Sequence, residues 1–230
     1  MNSRRRCPDP VNLLRYKHII WDWNGTLLDD SWMAVMVINE TLSKRNMPTI
    51  DLDHYQSIFG FPVIDYYRRL GFDFVDETFE KVGTEFIDGY EAHKYDVALH
   101  EGVETVLTSL KELGVSHSIL SAYKQNTLDE LVTHFGLTEV FLGIVGLDNH
   151  YAHSKVDNGI RWMNELQMDT QDVLFVGDTD HDHEVAEAIG VDCVLIPGGH
   201  QRRETLEATG AVILDSIRMV ADYVKQENSE

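Results

Sequence analysis

The sequence predicts an α/β fold: a parallel sheet between two layers of helices, with an all-helical segment inserted near its start. Three observations carry this expectation. From residue 98 onward, short apolar runs alternate with stretches whose apolar residues recur at helical spacing, the pattern of a parallel sheet covered on both faces. Ahead of them stands an isolated apolar run, Ile19-Ile20-Trp21, which ends in Asp22 and leads into the turn signal Asn24-Gly25. Between the two, residues 31–95 carry helical patterns and no convincing strand.

Taken in order, residues 1–15 form a polar lead-in containing Arg4-Arg5-Arg6, Cys7, Pro8 and Pro10. The first strand follows. Helical patterns then cover 31–45, 51–58, 62–70 and 76–95, punctuated by Phe59-Gly60-Phe61-Pro62 and Leu70-Gly71. Val103, Val106, Leu107 and Leu110 line one face of a helix that stops at Gly114. A strand over 115–120 ends at Ser121. Leu128, Leu131, Val132 and Phe135 form the next helical face, and Gly136 closes it. A strand over 140–145, a helix over 154–166, a strand over 173–176 and a helix over 182–189 continue the alternation. The strand at 191–196 runs into the loop Pro197-Gly198-Gly199-His200, and a last helix and a short strand at 211–214 precede a polar C-terminus. In such sheets ligands bind beyond the carboxyl ends of the strands. Asp22, Ser121, Asp178 and His200 all fall at predicted strand ends and are expected to converge.

Nineteen Lys and Arg oppose 39 Asp and Glu, a formal net charge of −20. That balance repels nucleic acid and anionic membrane, so neither is an expected partner. An anionic substrate then needs a local cationic group or a bound metal. The two cysteines do not suggest a disulfide framework, and a reducing, cytoplasmic setting is expected. Arg15, Lys17 and His18 interrupt any apolar run behind the basic lead-in, and no run approaches membrane-spanning length.

Four short stretches carry the chemistry. They are Asp22-Trp23-Asn24-Gly25-Thr26, Ser121 after a strand, Lys155, and Gly177-Asp178-Thr179-Asp180-His181-Asp182. Together, and in this order, they resemble the four motifs of the haloacid dehalogenase superfamily, and within it the phosphoglycolate phosphatase-like branch. The resemblance implies a Rossmann-like core from residues 1–28 and 98–230 with a helical cap from 29–97. It further implies a small phosphorylated metabolite as substrate and Mg²⁺ as cofactor. Asp22 would be the nucleophile, forming an aspartyl-phosphate. Asp22, the Asn24 backbone carbonyl and Asp178 would hold the metal, since Mg²⁺ takes carboxylate, carbonyl and water oxygens. Asp182 would hold a metal-bound water or orient Lys155. Lys155 would neutralise charge on the nucleophile and phosphoryl group, Ser121 would donate to phosphate oxygens, and Thr26 would add a hydroxyl near the nucleophile. In the cap, Phe59, Gly60, Tyr66 and Arg69 are the expected substrate contacts, with Arg68 or Arg69 suited to a substrate carboxylate. His200 is expected at the site rim.

Other meanings of these residues are ordinary. Ser121 alone is a turn serine, Lys155 a surface lysine, and Thr179 or Asp180 a helix cap. Asp178, Asp180 and Asp182 mimic the opening of an EF-hand loop, but His183 occupies the place of its glycine and Ile189 that of its closing Glu. His181 and His183 diverge around a helix start and are expected in solvent.

One position departs from the resemblance. Family phosphatases usually carry Asp two residues after the nucleophile, where this chain has Asn24. That Asp protonates the leaving oxygen and later activates water, roughly a 10²–10⁴-fold contribution in rate; an amide does neither. Three readings stay open: a phosphatase for substrates with good leaving groups or with substitute acid-base groups, a weak or inactive phosphate-ligand binding protein, and a 2-haloacid dehalogenase. The acidic pair Asp178 and Asp182 argues against the third, and the absence of a matching cap lysine argues against a phosphonatase.

Overall fold

The computed structural model describes residues 14–147 and 155–227. The expected lead-in, with Arg4, Arg5, Arg6, Cys7, Pro8 and Pro10, and the expected helix start at Ser154 lie outside the described residues.

A six-stranded parallel sheet organises the chain. Its strands are β1 (His18–Trp21), β4 (Ser116–Lys124), β5 (Ile144–Leu147), β6 (Val173–Gly177), β7 (Asp192–Leu195) and β8 (Val212–Ile213). They lie in the order β5-β4-β1-β6-β7-β8. The short strands β2 (Leu28–Asp29) and β3 (Ala98–Leu99) pair antiparallel as a separate ribbon, at the two points where the chain leaves and rejoins the sheet. β1 lies at the centre, paired with β4 on one side and β6 on the other. All four of its residues are buried, which is why this run is apolar without alternation. Successive side chains point to opposite faces. Ile19 and Trp21 enter the core under α5 (Val103–Glu112), α6 (Gln125–His134) and α10 (Val220–Gln226), whereas Ile20 enters the one under α7 (Lys155–Leu166) and α8 (Asp180–Ile189). The helix α9 (Arg203–Glu207) precedes β8.

Four helices fill the insertion: α1 (Ser31–Ser43), α2 (Leu52–Ile58), α3 (Val63–Arg69) and α4 (Phe79–His93). They enclose a second apolar cluster around Ile38, Leu42, Tyr55, Tyr66 and Tyr67. No described helix is long and apolar enough to cross a membrane.

Several elements depart from expectation. The strand expected at 140–145 begins at Ile144, because Thr138–Val140 winds into a tight helical turn that drops Phe141 into the core. β4 continues past Ser121 to Lys124, with a register shift between Leu120 and Lys124. α8 starts two residues earlier than expected because Thr179 caps it: Thr179 and Asp182 form a reciprocal capping box. The expected polar C-terminus contains α10, whose buried Val220, Ala221 and Val224 pack on the core.

Trp23 lies wholly within the larger core, and its indole N–H has no hydrogen-bond partner among the described residues. Trp23→Ala is expected to cost about 3–5 kcal/mol. Trp23→Phe keeps an aromatic ring and removes the unpaired donor, so it should cost much less. Urea unfolding of both variants checks this; equal losses would place the cost elsewhere than in ring volume.

Candidate active site

β1 and β6 mark the place where strand order reverses, and both release an acid there. Asp22 follows β1 with its N–H bonded to the Val176 carbonyl at 2.9 Å. Asp178 follows Gly177 at the end of β6. Lys155, on α7, donates from its Nζ to Asp22 Oδ1, and to Asp182 Oδ1 at 2.6 Å. All four side chains are buried. The second oxygen of Asp182 accepts from the Thr179 hydroxyl (2.8 Å), the Thr179 N–H (3.0 Å) and the Asp178 N–H (3.1 Å). Both of its oxygens are thus taken by donors, one of them Lys155.

Asp178 accepts from the Thr26 hydroxyl at 2.8 Å and from the His200 N–H at 2.7 Å. Thr26 is therefore directed at Asp178. The backbone crowds this carboxylate from two sides: a Cβ on Gly25 (φ +75°) would sit 2.3 Å from Asp178 Oδ2, and one on Gly199 2.2 Å from it. Only glycine permits so close an approach.

Carboxylate oxygens of Asp22, Asp178 and Asp182 lie within 4.8 Å of one another. Three buried carboxylates against the single Lys155 ammonium leave a formal charge of −2. Burial, with Asp182 and Asp178 adding to it against Lys155, pushes the Asp22 carboxyl well above its usual range. Burial likewise raises Asp178 to about 6, partly offset by His200. Asp182 is lowered, because Lys155 and Thr179 outweigh its burial. Asp22 Oδ2 has no hydrogen-bond partner among the described residues. A formal excess of two negative charges and hard oxygen donors fit a divalent cation among Asp22, Asp178 and Asp182.

Asn24 lines the same cavity as Asp22. Its amide donates to Asp30 Oδ2 and to the Tyr90 hydroxyl, both at 2.9 Å. Ser121 Oγ stands 3.5 Å from Asn24 Oδ1, at the limit of a hydrogen bond, and accepts the Tyr123 N–H at 3.0 Å. Asp30 also accepts from the Tyr90 hydroxyl and from the Gly25 N–H (2.7 Å). His200 lies across from it, Nε2 at 3.3 Å from Asp30 Oδ1 and Nδ1 at 2.8 Å from the Tyr55 hydroxyl. Burial alone would lower the His200 pKa; Asp30, helped by Asp178 and Asp22, raises it to about 9. His200 keeps Asp30 below its usual range despite burial. The histidine expected at the rim is thus buried, because its ring pairs with Asp30 and Tyr55.

Between core and insertion lies a cavity of about 320 Å³. Asp22, Ser121 and Lys155 form its floor; Phe59, Phe61, Tyr66, Phe86, Ile87 and Tyr90 line its upper part. Of the expected cap contacts, Phe59 and Tyr66 reach it. Gly60 is buried behind the wall, where a Cβ would meet Arg69 at 3.5 Å and Gln201 at 3.6 Å. Arg69 is absent from the lining because its guanidinium donates to the Ile58 carbonyl at 2.7 Å, and Arg68 pairs with Asp65 outside. His181 is not free in solvent: it lines the cavity with its ring 4.5 Å from that of Phe61. The loop after β7 grips the insertion: Gln56 donates to the Gly199 carbonyl (2.7 Å), and Gln201 to the Phe59 carbonyl (3.2 Å). Asp30, Tyr55 and Tyr90 were not identified from sequence. Asp30 precedes α1 in the place of a cap yet makes no side-chain cap bond, and no local pattern marks the other two.

Residues 19–196 match the family model of haloacid dehalogenase-like hydrolases. Among curated proteins, the chain is 25% identical over 198 residues to the tyrosine-protein kinase PtkA of Mycobacterium tuberculosis, covering 85% of this chain and 67% of that one. It is 27% identical over 212 residues to a phosphoglycolate phosphatase of Pseudomonas syringae pv. tomato, covering 88% and 77%. The solved structure of PtkA aligns with a TM-score of 0.78 at 23% identity, over 91% of this chain and 98% of that one. A haloacid dehalogenase-like hydrolase from Streptococcus pneumoniae aligns at 0.77 and 20% identity, over 91% and 98%. At these identities the structural likenesses bear on the fold.

The His200–Asp30 pair predicts a pH dependence. His200 has a folded pKa of about 9, above its ordinary 6.5, so its contribution is complete below about 6.5 and is lost as pH rises through 9. In the presence of chelator, unfolding stability should fall by up to about 3 kcal/mol between pH 6.5 and 9. His200→Gln should flatten that slope while lowering overall stability. Urea unfolding across this range checks it; an unchanged slope in the variant would remove His200 as the source.

Proposed function

The chain belongs to the haloacid dehalogenase-like hydrolases, and on that footing we propose that it is a metal-dependent phosphatase that passes the phosphoryl group of a small phosphorylated metabolite through Asp22. The observation that carries this is a buried carboxylate, Asp22, hydrogen-bonded to Lys155 within a three-carboxylate cluster that lies at a cavity between core and insertion. The relatives' names support the same chemistry: a tyrosine-protein kinase and a phosphoglycolate phosphatase both imply phosphoryl transfer. A cytoplasmic setting is part of the proposal, consistent with a chain of 230 residues that contains only two cysteines.

The proposed sequence has two displacements. An Asp22 oxygen attacks phosphorus; the bond from phosphorus to the leaving oxygen breaks, and its electron pair departs with that oxygen. Water then attacks the phosphoryl group of the aspartyl-phosphate, the bond to Asp22 breaks, and the carboxylate is restored. Lys155 sits beside Asp22 to stabilise charge on the phosphoryl oxygens, Asp182 fixes Lys155, and Ser121 offers its hydroxyl to the same oxygens. Mg²⁺ held by Asp22, Asp178 and the Asn24 carbonyl would keep Asp22 ionised and polarise the phosphoryl group.

Asn24 sets the limit of this chemistry, since its amide cannot give a proton to the leaving oxygen or take one from water. The same residue favours a second reading, a phosphate-ligand binding protein with slow or no turnover. Dehalogenation is not favoured, because it leaves the acidic pair Asp178 and Asp182 without a task.

Asp178→Ala should abolish metal-dependent hydrolysis while the fold persists by circular dichroism, and Asp22→Asn should reduce turnover to background. Wild-type rates in either variant, on a substrate the wild type hydrolyses, would refute the assignment. Asn24→Asp sets a carboxyl against Asp30, and two carboxyls so close share a proton. One therefore remains an acid near neutral pH, and alkyl-ester hydrolysis should rise by roughly 10²-fold. Turnover of alkyl and aryl phosphates by fresh wild type and variant, with the Asn24-Gly25 peptide checked for deamidation by mass spectrometry, is the measurement. Wild type as fast as the variant on alkyl esters would overturn the role given to Asn24, and inactivity of both on every class would favour the binding protein.

A further inference from the structure

We propose that the natural leaving group is an aromatic ring bearing no second anionic group, so that the substrate is a small aryl phosphate monoester; this rests on the phosphatase reading of the same cavity.

The upper wall of the cavity is built to hold a ring. Phe59, Phe61, Tyr66, Phe86 and Tyr90 line it together with Ile87, and Phe59 already meets Phe61 and Tyr66 edge-on at 5.7 and 5.3 Å. An inserted ring gains offset or edge contacts of the same kind. About 320 Å³ falls at the lower end of small-molecule pockets.

Charge excludes the alternative. Lys155, on the floor, is the only Lys or Arg among the described residues lining the cavity. Glu80 and Glu91 line the insertion side, and Arg68 and Arg69 are committed elsewhere. The two cationic groups that line the cavity are already engaged, Lys155 with Asp22 and Asp182 and His200 with Asp30 and Tyr55, so a substrate carboxylate would have to compete with buried acids for its partner, a costly placement.

The chemistry at Asn24 points the same way. A phenol ionises with a pKa near 10, as tyrosine does, whereas an alkanol ionises about as weakly as water, near 15.7. When Asp22 attacks phosphorus, the P–O bond can break with the electron pair leaving on a phenolate. That oxygen takes its proton later from solvent, so no side-chain acid is consumed.

The test compares phenyl phosphate, phosphoglycolate, glycerol phosphate and acetyl phosphate with Mg²⁺. Calorimetric binding of benzylphosphonate and phosphonoacetate runs in parallel. Acetyl phosphate needs neither acid nor ring, so its hydrolysis tests the phosphatase reading alone. The expected result is a kcat/KM for phenyl phosphate at least 100-fold above those for phosphoglycolate and glycerol phosphate, with benzylphosphonate bound at least 10-fold tighter than phosphonoacetate. Turnover of acetyl phosphate without that preference overturns the aryl assignment and leaves the phosphatase. Tighter benzylphosphonate binding without any turnover keeps the ring site and overturns the phosphatase. Gly83, on α4 at the cavity wall, has no atom within 4 Å of an added Cβ. Gly83→Leu should fill the ring space without unfolding the helix, lowering the phenyl-to-acetyl phosphate ratio of kcat/KM at least 10-fold; an unchanged ratio places the ring elsewhere. A phosphotyrosine peptide turned over faster than phenyl phosphate would overturn the small-molecule size limit.

Discussion

Three carboxylates buried at one point of a low-dielectric core are a liability that the surrounding chain must answer. Lys155 answers part of it by donating to both Asp22 and Asp182 from within hydrogen-bond reach. Much of the local structure follows from that need. β1 and β6 must lie side by side for Asp22 and Asp178 to meet, α7 must bring Lys155 to the same point, and Asp182 must be held by the capping box of α8 to keep its oxygen on the lysine. A buried charge cluster of this kind contributes little net stability. Burial biases the Asp22 carboxyl toward its protonated form, a bias that Lys155 opposes.

The second network spans the boundary between sheet and insertion. Asp30 at the start of α1, Tyr55 on α2, Tyr90 on α4 and His200 on the loop after β7 form one set of buried hydrogen bonds around Asn24. The amide at position 24 is well matched to this setting. It supplies two N–H donors, to Asp30 and to Tyr90, where a carboxylate would supply none and would add a like charge. The amide that would offer no acid to the proposed reaction thus completes a buried hydrogen-bond network.

How legible was this in the sequence? Asp22 and Asp178 stand directly after apolar runs, so strand and site could be read together, and the alternation from residue 98 gave the parallel sheet. The second network was not readable, because its members lie far apart in the chain and meet only when the insertion closes on the core: Tyr55 and His200 are separated by 145 positions, and Tyr90 and Asp30 by 60. Arg69 misled for a related reason. Helical spacing places it on α3 but does not reveal that the Ile58 carbonyl will take its guanidinium. The shift of β5 to Ile144 turned on Phe141, whose burial demands a turn before the strand.

The loop after β7 does two things with adjacent atoms. The His200 N–H holds Asp178, while the Gly199 carbonyl receives Gln56 and Gln201 reaches the Phe59 carbonyl. Were the proposed ion bound at Asp178, a shift of this loop would act on the ion and on the seat of the insertion together. By thermodynamic reciprocity, a ligand that altered the ion's affinity through the stretch from Ile196 to Arg202 would have its own affinity altered by the same factor.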